Sequence, residues 1–324
     1  MKFIVFILTI CVSNIAIAQQ NTITVKNEVK NDSLINNDSI KKWTLKNKAG
    51  LDLSEVTFIN WSAGGSNSIS ALTSFVSTLT YKKDNINWVN RGIMRLGGNK
   101  QESLRLRKTD DVLEFSSNIG FQKDTLSNWY HSARFNFKSQ LLYGYSYPNR
   151  EKPISKFMAP GYAFLGAGAE YGKNIEKMSL YISPLTYKGT FVLDEALSNA
   201  GAFGVEAAIY DDEGNVIREG QRVRSELGVL ITSAYEANLF ENIDFRSLIE
   251  LYSDYINSFG NVDVNWELLL NFKVNDYVRT ALGSHIIYDD DISTFEEVDG
   301  MQIEKGPKIQ WKQILGIGVV VDFQ

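Results

Sequence analysis

Cysteine, histidine and proline are scarce in this chain of 324 residues, which contains one Cys, two His and five Pro. So few prolines, together with 44% hydrophobic residues, exclude a disordered or collagen-like protein. No long uncharged apolar run follows residue 18, which excludes a polytopic helical membrane protein. No basic stripe interleaved with aromatic residues occurs, and the formal net charge is −5, so nothing indicates a nucleic-acid partner.

The first 18 residues have the pattern of a signal peptide. Lys2 supplies a positive charge, residues 3–12 are apolar, and Ala16-Ile17-Ala18 is a small-residue cleavage site. The alternative is an apolar N-terminal strand. Cys11 lies in the apolar part, so we interpret it as discarded with the peptide, which leaves an exported protein without disulfides. Residues 19–42 are rich in Asn, Asp, Ser and Lys and predict a flexible polar leader.

From Trp43 onward, apolar residues recur with a period of two, which is typical of β-strands. In one segment, for example, Phe135 and Phe137 alternate with Arg134 and Lys138. The six clearest segments run for about 12–17 residues, longer than ordinary globular strands but suited to crossing a bilayer at a tilt. The twelve predicted strands are 43–60, 68–82, 86–96, 110–122, 129–145, 161–172, 175–187, 221–239, 243–255, 262–274, 277–288 and 309–323.

Short and long connections alternate along the chain. Those after even-numbered strands are short, whereas several after odd-numbered strands are long: about 97–109, 146–160, 188–220 and 289–308. Outer-membrane barrels have this pattern, with short periplasmic turns and long external loops. We therefore predict an all-β protein, a transmembrane antiparallel up-and-down β-barrel of about 12 strands over residues 43–324, located in the cell outer membrane. Its expected partners are outer-membrane lipid and the barrel-insertion machinery.

A soluble β-sandwich or lipocalin-like barrel, with its apolar faces inward, is the alternative fold. In a membrane barrel Phe135, Leu268 and Val319 point outward to lipid, and Arg134, Glu267 and Lys312 point into the interior. In the soluble alternative the two sets are reversed.

A phase change near Ser54 and Glu55 predicts a bulge in the first strand. Aromatic residues at the strand ends predict two interface belts. The inner belt is Tyr81, Trp88, Phe121, Trp129, Tyr171, Tyr277 and Phe323, and the outer belt is Tyr143, Tyr145, Tyr187, Tyr255, Tyr288 and Trp311.

In a barrel, the polar phase of each strand faces the lumen. Because these charges are of both signs, we interpret them as an ion-paired filling, and a hydrated path for a small polar solute is the alternative. No cofactor and no metal site is predicted. The predicted lumen-lining residues are Glu114, Arg134, Lys138, Glu226, Glu236, Arg246, Glu250, Glu267, Lys273, Arg279 and Lys312.

Solute transport or envelope structure is the predicted role, and two other functions stay open. A membrane-embedded hydrolase would use His285 as a general base with Asp289 or Asp290. His131 is unsuited to this because it faces lipid and its neighbour Ser132 points the other way. A surface binding platform or adhesin would use the loops 188–220 and 289–308. Residues 190–205 predict a short helix over or in the mouth, as the gate of a channel.

The segment Asn60-Trp61-Ser62-Ala63-Gly64-Gly65-Ser66-Asn67-Ser68 predicts a tight external hairpin. Gly64 and Gly65 permit positive φ, and the polar side chains of Asn60 and Asn67 bond to turn backbone, with Trp61 in between. This segment, with later blocks at 153–160, 183–186, 201–204 and 288–291, resembles a family of uncharacterised outer-membrane barrels common in Bacteroidota. The resemblance spans roughly residues 43–323 and implies fold and location, but the family is a domain of unknown function without an assigned activity.

Overall fold

Twelve strands form a closed antiparallel β-barrel in the computed structural model, which describes residues 42–57, 66–124, 127–172, 178–256, 259–298 and 301–323. The predicted signal peptide and all but the last residue of the predicted leader lie outside these residues. The barrel strands are β1 (Trp43–Val56), β2 (Ser68–Lys83), β3 (Ile86–Gln101), β4 (Arg107–Phe121), β5 (Trp129–Ser139), β8 (Gly161–Tyr171), β9 (Met178–Phe191), β12 (Val223–Phe240), β13 (Ile243–Asp254), β14 (Asp263–Lys273), β15 (Val278–Tyr288) and β18 (Gln310–Phe323).

Six shorter strands pair as three hairpins within the long connections of the barrel. They are β6 (Gly144–Tyr145) with β7 (Pro153–Ser155), β10 (Ile209–Tyr210) with β11 (Val216–Arg218), and β16 (Ser293–Val298) with β17 (Met301–Pro307). All three hairpins lie at the same end of the barrel, which we call the loop end. The opposite end, where the chain makes its short connections, is called the turn end.

Barrel strands that follow one another along the chain are neighbours in the sheet, and β1 pairs with β18 to close it. The prediction of an up-and-down barrel of twelve strands is therefore confirmed. Two details differ. The register between β1 and β2 runs without a shift through Ser54 and Glu55, so the predicted bulge is wrong. β5 ends at Ser139 and not near residue 145, because the Asp111 carboxylate accepts the backbone N–H groups of Leu141 and Leu142 and turns the chain.

Apolar side chains cover the outside of the barrel and polar side chains fill the inside. On β18, Trp311, Leu315 and Val319 are 68%, 70% and 47% exposed. Facing inward, by contrast, Glu226 on β12 is only 2% exposed. A water-soluble protein buries its large apolar groups and exposes its ions, and this barrel does the reverse. The alternative of a soluble β-sandwich or lipocalin-like barrel is therefore wrong.

Three outward tryptophans donate their indole N–H to a serine hydroxyl on the next strand. The bonds are Trp88 to Ser117 (2.9 Å), Trp266 to Ser247 (3.0 Å) and Trp311 to Ser284 (2.8 Å). An indole N–H that faces hydrocarbon has no water to bind, so a neighbouring hydroxyl has to satisfy it. Aromatic rings also cluster at the turn end, where Trp43 lies 4.8 Å from Tyr81 between ring centroids.

A bulge in β9 changes which side chains face the lumen. The register with β8 and with β12 shifts between Ile182 and Thr186, around Pro184, which has no N–H to give to a ladder. Before the bulge, Tyr181 and Ser183 are buried inside, and after it Thr186 and Lys188 take that place. The bulge therefore turns Lys188 into the barrel.

The connection after β9 forms the short helix α1 (Glu195–Asn199) that the sequence predicts there. Asp194 caps it by accepting the Leu197 N–H at 3.0 Å and also contacts Lys156 of the connection before β8. A small apolar cluster holds the two connections together: Ala159, Val192 and Val205, with Leu197 and Phe203 packed against them. Among the described residues, no helix has the length and apolarity needed to cross a membrane.

The bulge in β9 depends on a glycine in the adjacent strand. A Cβ added at Gly168 would lie 2.0 Å from the Ile182 carbonyl oxygen, whereas one added at Gly92 would meet nothing within 4 Å. We expect Gly168→Val to destabilise the barrel by about 1–3 kcal/mol or to prevent its assembly, since backbone must move. Heat-modifiable electrophoretic mobility after refolding measures this. Gly92→Val is the matched control, and equal losses in both variants would contradict the prediction.

Candidate functional site

Lys188 lies among three carboxylates at the loop end of the barrel interior. Its Nζ is 2.7 Å from Asp263, 3.5 Å from Glu226 and 3.8 Å from Asp289. The four groups come from β9, β12, β14 and the residue after β15. The Tyr252 ring lies beneath the ammonium group, with its centroid 5.0 Å away. With Lys188 only 5% exposed, the charge is compensated by protein and not by water.

Arg224 joins this cluster to two loops. Its guanidinium is 2.5 Å from Asp291, 3.5 Å from Glu226 and 3.1 Å from the Gly204 carbonyl oxygen. Gly204 belongs to the connection that carries α1, and Asp291 belongs to the connection after β15. Arg224 therefore ties these two loops to each other and to the barrel wall. We call Lys188, Arg224, Glu226, Asp263, Asp289 and Asp291 the mouth network.

The mouth network has more acid than base: two cations against four carboxylates, a formal balance of 2 − 4 = −2. Burial raises the pKa of Asp289, and the nearby Lys188 ammonium opposes this rise. Asp263, Asp289 and Asp291 each offer a carboxylate oxygen within 4.8 Å of the others, close enough to contact one divalent cation. A cation would have to compete there with the Lys188 ammonium, which already binds Asp263.

A second ion-paired group crosses the lumen. Lys312 of β18 donates to Asp110 of β4 at 2.8 Å, although β1, β2 and β3 lie between these strands around the barrel. The Arg95 Nε is 3.2 Å from the other oxygen of Asp110. This arrangement narrows the interior, because side chains from strands four positions apart around the twelve-stranded wall meet inside it.

A third group lies nearer the turn end, around Glu170 on β8. Its carboxylate accepts hydrogen bonds from Asn118 at 2.7 Å and Ser132 at 3.0 Å, and Arg134 lies 3.7 Å away. The Arg134 guanidinium also stacks on the Tyr181 ring, 4.1 Å from its centroid. Interior charges in this sector are thus bound to one another and to aromatic faces.

The remaining predicted lumen-lining residues are placed as follows. Glu250 accepts the Asn265 amide at 2.9 Å. Two pairs are exposed at the turn end. Glu236 contacts Arg246, and Lys273 lies 2.7 Å from Asp276. Four more of these residues are half-buried: Glu114, Lys138, Glu267 and Arg279. Of the predicted hairpin motif, Asn60, Trp61, Gly64 and Gly65 lie outside the described residues, and the Asn67 carbonyl accepts the Glu102 N–H at 2.8 Å.

The predicted His285–aspartate pair is not formed. His285 Nε2 lies 2.6 Å from the Asn265 Oδ1 and 3.9 Å from Glu267, whereas Asp289 faces Lys188 and Asp290 receives a hydrogen bond from Tyr288 at 3.1 Å. Four residues along a strand span about 13 Å, so His285 and Asp289 are too far apart to share a proton. The general-base arrangement on which the hydrolase hypothesis depends is therefore absent from the described residues.

Sequence reasoning missed the centre of the mouth network. The strand predicted there ends at residue 187, which places Lys188 in a loop, and no sequence pattern distinguishes Arg224. The signal that could have found Lys188 is Pro184 within a strand, since proline inside a ladder marks a bulge and a change of facing. Of the six members, Glu226 and Asp263 lie in the polar, lumen-facing phase of their predicted strands.

Comparisons with known proteins assign no activity to this chain. A family model described as "Protein of unknown function (DUF3078)" matches residues 53–145, which include the Asn60–Ser68 segment but none of the later blocks. No curated protein sequence matches the chain.

Solved structures similar to this chain include several outer-membrane barrels at low identity. The translocator domain of the autotransporter NalP from Neisseria meningitidis has 10% identity over 87% of this chain and 88% of that chain, with a TM-score of 0.37. An outer membrane channel from Pseudomonas putida F1 has 11% identity over 86% and 95%, with a TM-score of 0.41. The NanC porin has 9% identity over 87% and 100%, with a TM-score of 0.35. The closed strand order and the apolar exterior, and not these scores, define the fold as that of Gram-negative outer-membrane barrels.

Removal of the Lys188 charge should destabilise the loop end. In Lys188→Met the carboxylates of Glu226, Asp263 and Asp289 lose their shared cation, and a broken buried pair costs about 3–5 kcal/mol. We expect a lower melting temperature in detergent micelles, followed by circular dichroism. Lys273→Met removes an exposed lysine that pairs with Asp276 at the turn end, and it should change little. A melting temperature unchanged by Lys188→Met would contradict the prediction.

Unlike Lys188→Met, the variant Asp289→Asn should not lower the melting temperature at neutral pH. A carboxyl whose pKa is raised in the folded state contributes stability at low pH that is lost as the pH rises through that raised value. At neutral pH the variant should therefore be at least as stable as wild type, and this advantage should vanish near about pH 4. Melting curves across this range measure it. Asp263→Asn, which loses the 2.7 Å bond to Lys188, should instead lower the melting temperature at neutral pH.

Proposed function

We propose that this protein is an outer-membrane channel for small polar solutes, exported by a cleaved signal peptide and closed at its loop end by the mouth network. The observation that carries the proposal is the inside-out distribution of charge: apolar groups outside, and ions of both signs inside. The loop end would face the cell exterior and the turn end the periplasm. Outer-membrane lipid and the insertion machinery would be its partners, and its family relationship would extend beyond residues 53–145.

The mouth network suits a closed state better than a permanently open pore. Arg224 holds the α1 connection through Gly204 and the connection after β15 through Asp291, so both loops are fixed over the same part of the lumen. Below them, the Lys312–Asp110 pair crosses the interior. A solute would pass only after these pairs separate, and hydration of the released charges would favour the open form.

Planar-bilayer conductance of the purified protein tests this proposal. Arg224→Gln removes the link between the two loops, and we expect discrete openings to become more frequent than in wild type, by about tenfold or more. Arg246→Gln is the matched control, because Arg246 is an exposed arginine paired with Glu236 at the turn end. Silence of both wild type and Arg224→Gln under all salts would contradict transport and would favour a filled barrel with a structural role in the envelope.

A surface binding platform is the second candidate, and the β10–β11 hairpin is the observation that favours it. This hairpin is not part of the lipid-facing barrel wall, yet its apolar residues are all exposed: Ile209, Tyr210, Val216 and Ile217. Replacement of residues 209–217 by a Gly-Ser turn should then abolish adhesion of cells to fibronectin- or collagen-coated surfaces. Unchanged adhesion would remove the support for this role.

A further inference from the structure

Positive charge is concentrated in two neighbouring connections at the loop end. Residues 100–108, around the β3–β4 connection, and 146–156, between β5 and β8, contain seven Lys and Arg against two Asp and Glu, a balance of 7 − 2 = +5. The other two long connections, 192–222 and 289–308, each contain two basic and seven acidic residues, a balance of 2 − 7 = −5. We call residues 100–108 and 146–156 the basic rim. It stands out in a chain whose net charge is −5.

Two arginines of the basic rim stack on one tyrosine. The guanidinium carbon of Arg107 lies 5.5 Å from the centroid of the Tyr147 ring, and that of Arg150 lies 5.7 Å from the same centroid. Arg150 also lies 5.2 Å from the Tyr145 ring centroid, and the Tyr147 hydroxyl accepts the Lys108 N–H at 3.0 Å, which fixes the ring against β4. In the described part of the chain, no carboxylate forms an ion pair with either arginine. Two guanidiniums held in this way suit a phosphate group, because each can donate two N–H bonds to its oxygens.

The connection between β5 and β8 also forms an apolar cavity of about 410 Å³. Four apolar or aromatic residues and one lysine line it: Leu141, Leu142, Tyr143, Phe157 and Lys156. Leu142, Tyr143 and Phe157 are more than half exposed. Asp111, in the same outward phase of β4 as Phe115, accepts the Leu142 N–H at 2.8 Å and so holds the cavity against the outside of the wall. A soluble anion would not contact such a surface, whereas an acyl chain would.

We propose that the basic rim is a binding site for a phosphorylated glycolipid of the outer leaflet, lipopolysaccharide. The phosphate groups on its sugars would bind Arg107 and Arg150, and one acyl chain would lie in the cavity beside Leu142 and Phe157. Such a lipid presents negative charge next to hydrocarbon, as the rim and the cavity present positive charge next to apolar side chains. The proposal goes beyond the channel function and shares with it only the outward orientation of the loop end.

Binding of fluorescent diphosphoryl lipid A to the purified protein in detergent micelles tests the charged part of the site. The double variant Arg107→Gln with Arg150→Gln should bind about tenfold or more weakly than wild type, because charge-assisted hydrogen bonds to phosphate are lost. Arg218→Gln with Arg222→Gln is the matched control. These two arginines are exposed in the connection between β9 and β12, and each already pairs with a glutamate, so this variant should bind as wild type does.

Wild type alone supplies a second measurement, which does not depend on the folding of a variant. Lipid A from which both phosphates have been removed should bind about tenfold more weakly than the diphosphoryl form. Inorganic phosphate and glucosamine phosphate should not displace the lipid, because they have no acyl chain to occupy the cavity.

The apolar part of the site is tested with the same probe. Leu142→Gln with Phe157→Gln should weaken binding several-fold, because both residues line the cavity. Ile209→Gln with Ile217→Gln is the matched control, since these exposed apolar residues belong to the β10–β11 hairpin at the same end of the barrel.

Three results would overturn the site: equal binding of the two forms of lipid A to wild type, an equal loss in the Arg218→Gln, Arg222→Gln control, or displacement of the lipid by soluble phosphates, which would make a free anion the ligand. Failure of the site is distinguishable from failure of the channel, because binding is measured in micelles and conductance in bilayers without lipid A. Binding without conductance would support the site alone, and conductance without binding would overturn the site alone.

Discussion

Backbone hydrogen bonding in a medium without water is the constraint on which the rest of this structure depends. Every N–H and C=O at hydrocarbon depth has to be paired within the protein, so the twelve strands close on themselves and their outward side chains become apolar. The same demand reaches the side chains, since each of the outward tryptophans Trp88, Trp266 and Trp311 binds a serine on the next strand. Closure leaves one place for ionic groups, the interior, and so creates the lumen in which any function of the barrel has to lie.

Charges that share a narrow, weakly hydrated space are stabilised only when they find partners, and this explains the contacts across the barrel. Lys312 reaches Asp110 past three intervening strands, and Lys188 collects carboxylates from three other parts of the wall. Each such pair removes interior volume, so the pairs that stabilise the barrel are also the pairs that would have to separate for passage. At the loop end this coupling includes the loops, because Arg224 binds them as well as Glu226.

The strands could be predicted from the sequence because a period of two is a local property, and a lipid-facing strand shows it over its whole length. The site could not, because it depends on non-local facts. The bulge at Pro184 reverses the facing of Lys188, and a period count that assumes one phase through the strand misses this reversal. His285 was predicted to meet an aspartate near it in sequence, but the register brings Asn265 and Glu267 beside it from the next strand. The contact of Arg224 with Gly204 depends on where the loop backbone lies. A loop has no periodic pattern in the sequence from which that position could be predicted.

The barrel closes on itself between β1 and β18, the first and the last of its strands. Gly50 and Gly318 lie at this boundary, where they contribute no side chain that could hold the two strands together. Lys312 lies on β18 and binds Asp110 of β4, so this ion pair links the last strand to the part of the wall beyond β1, β2 and β3. The pair that narrows the lumen therefore also holds β18 in position, and a cation or an anion that competes for this pair would act on both.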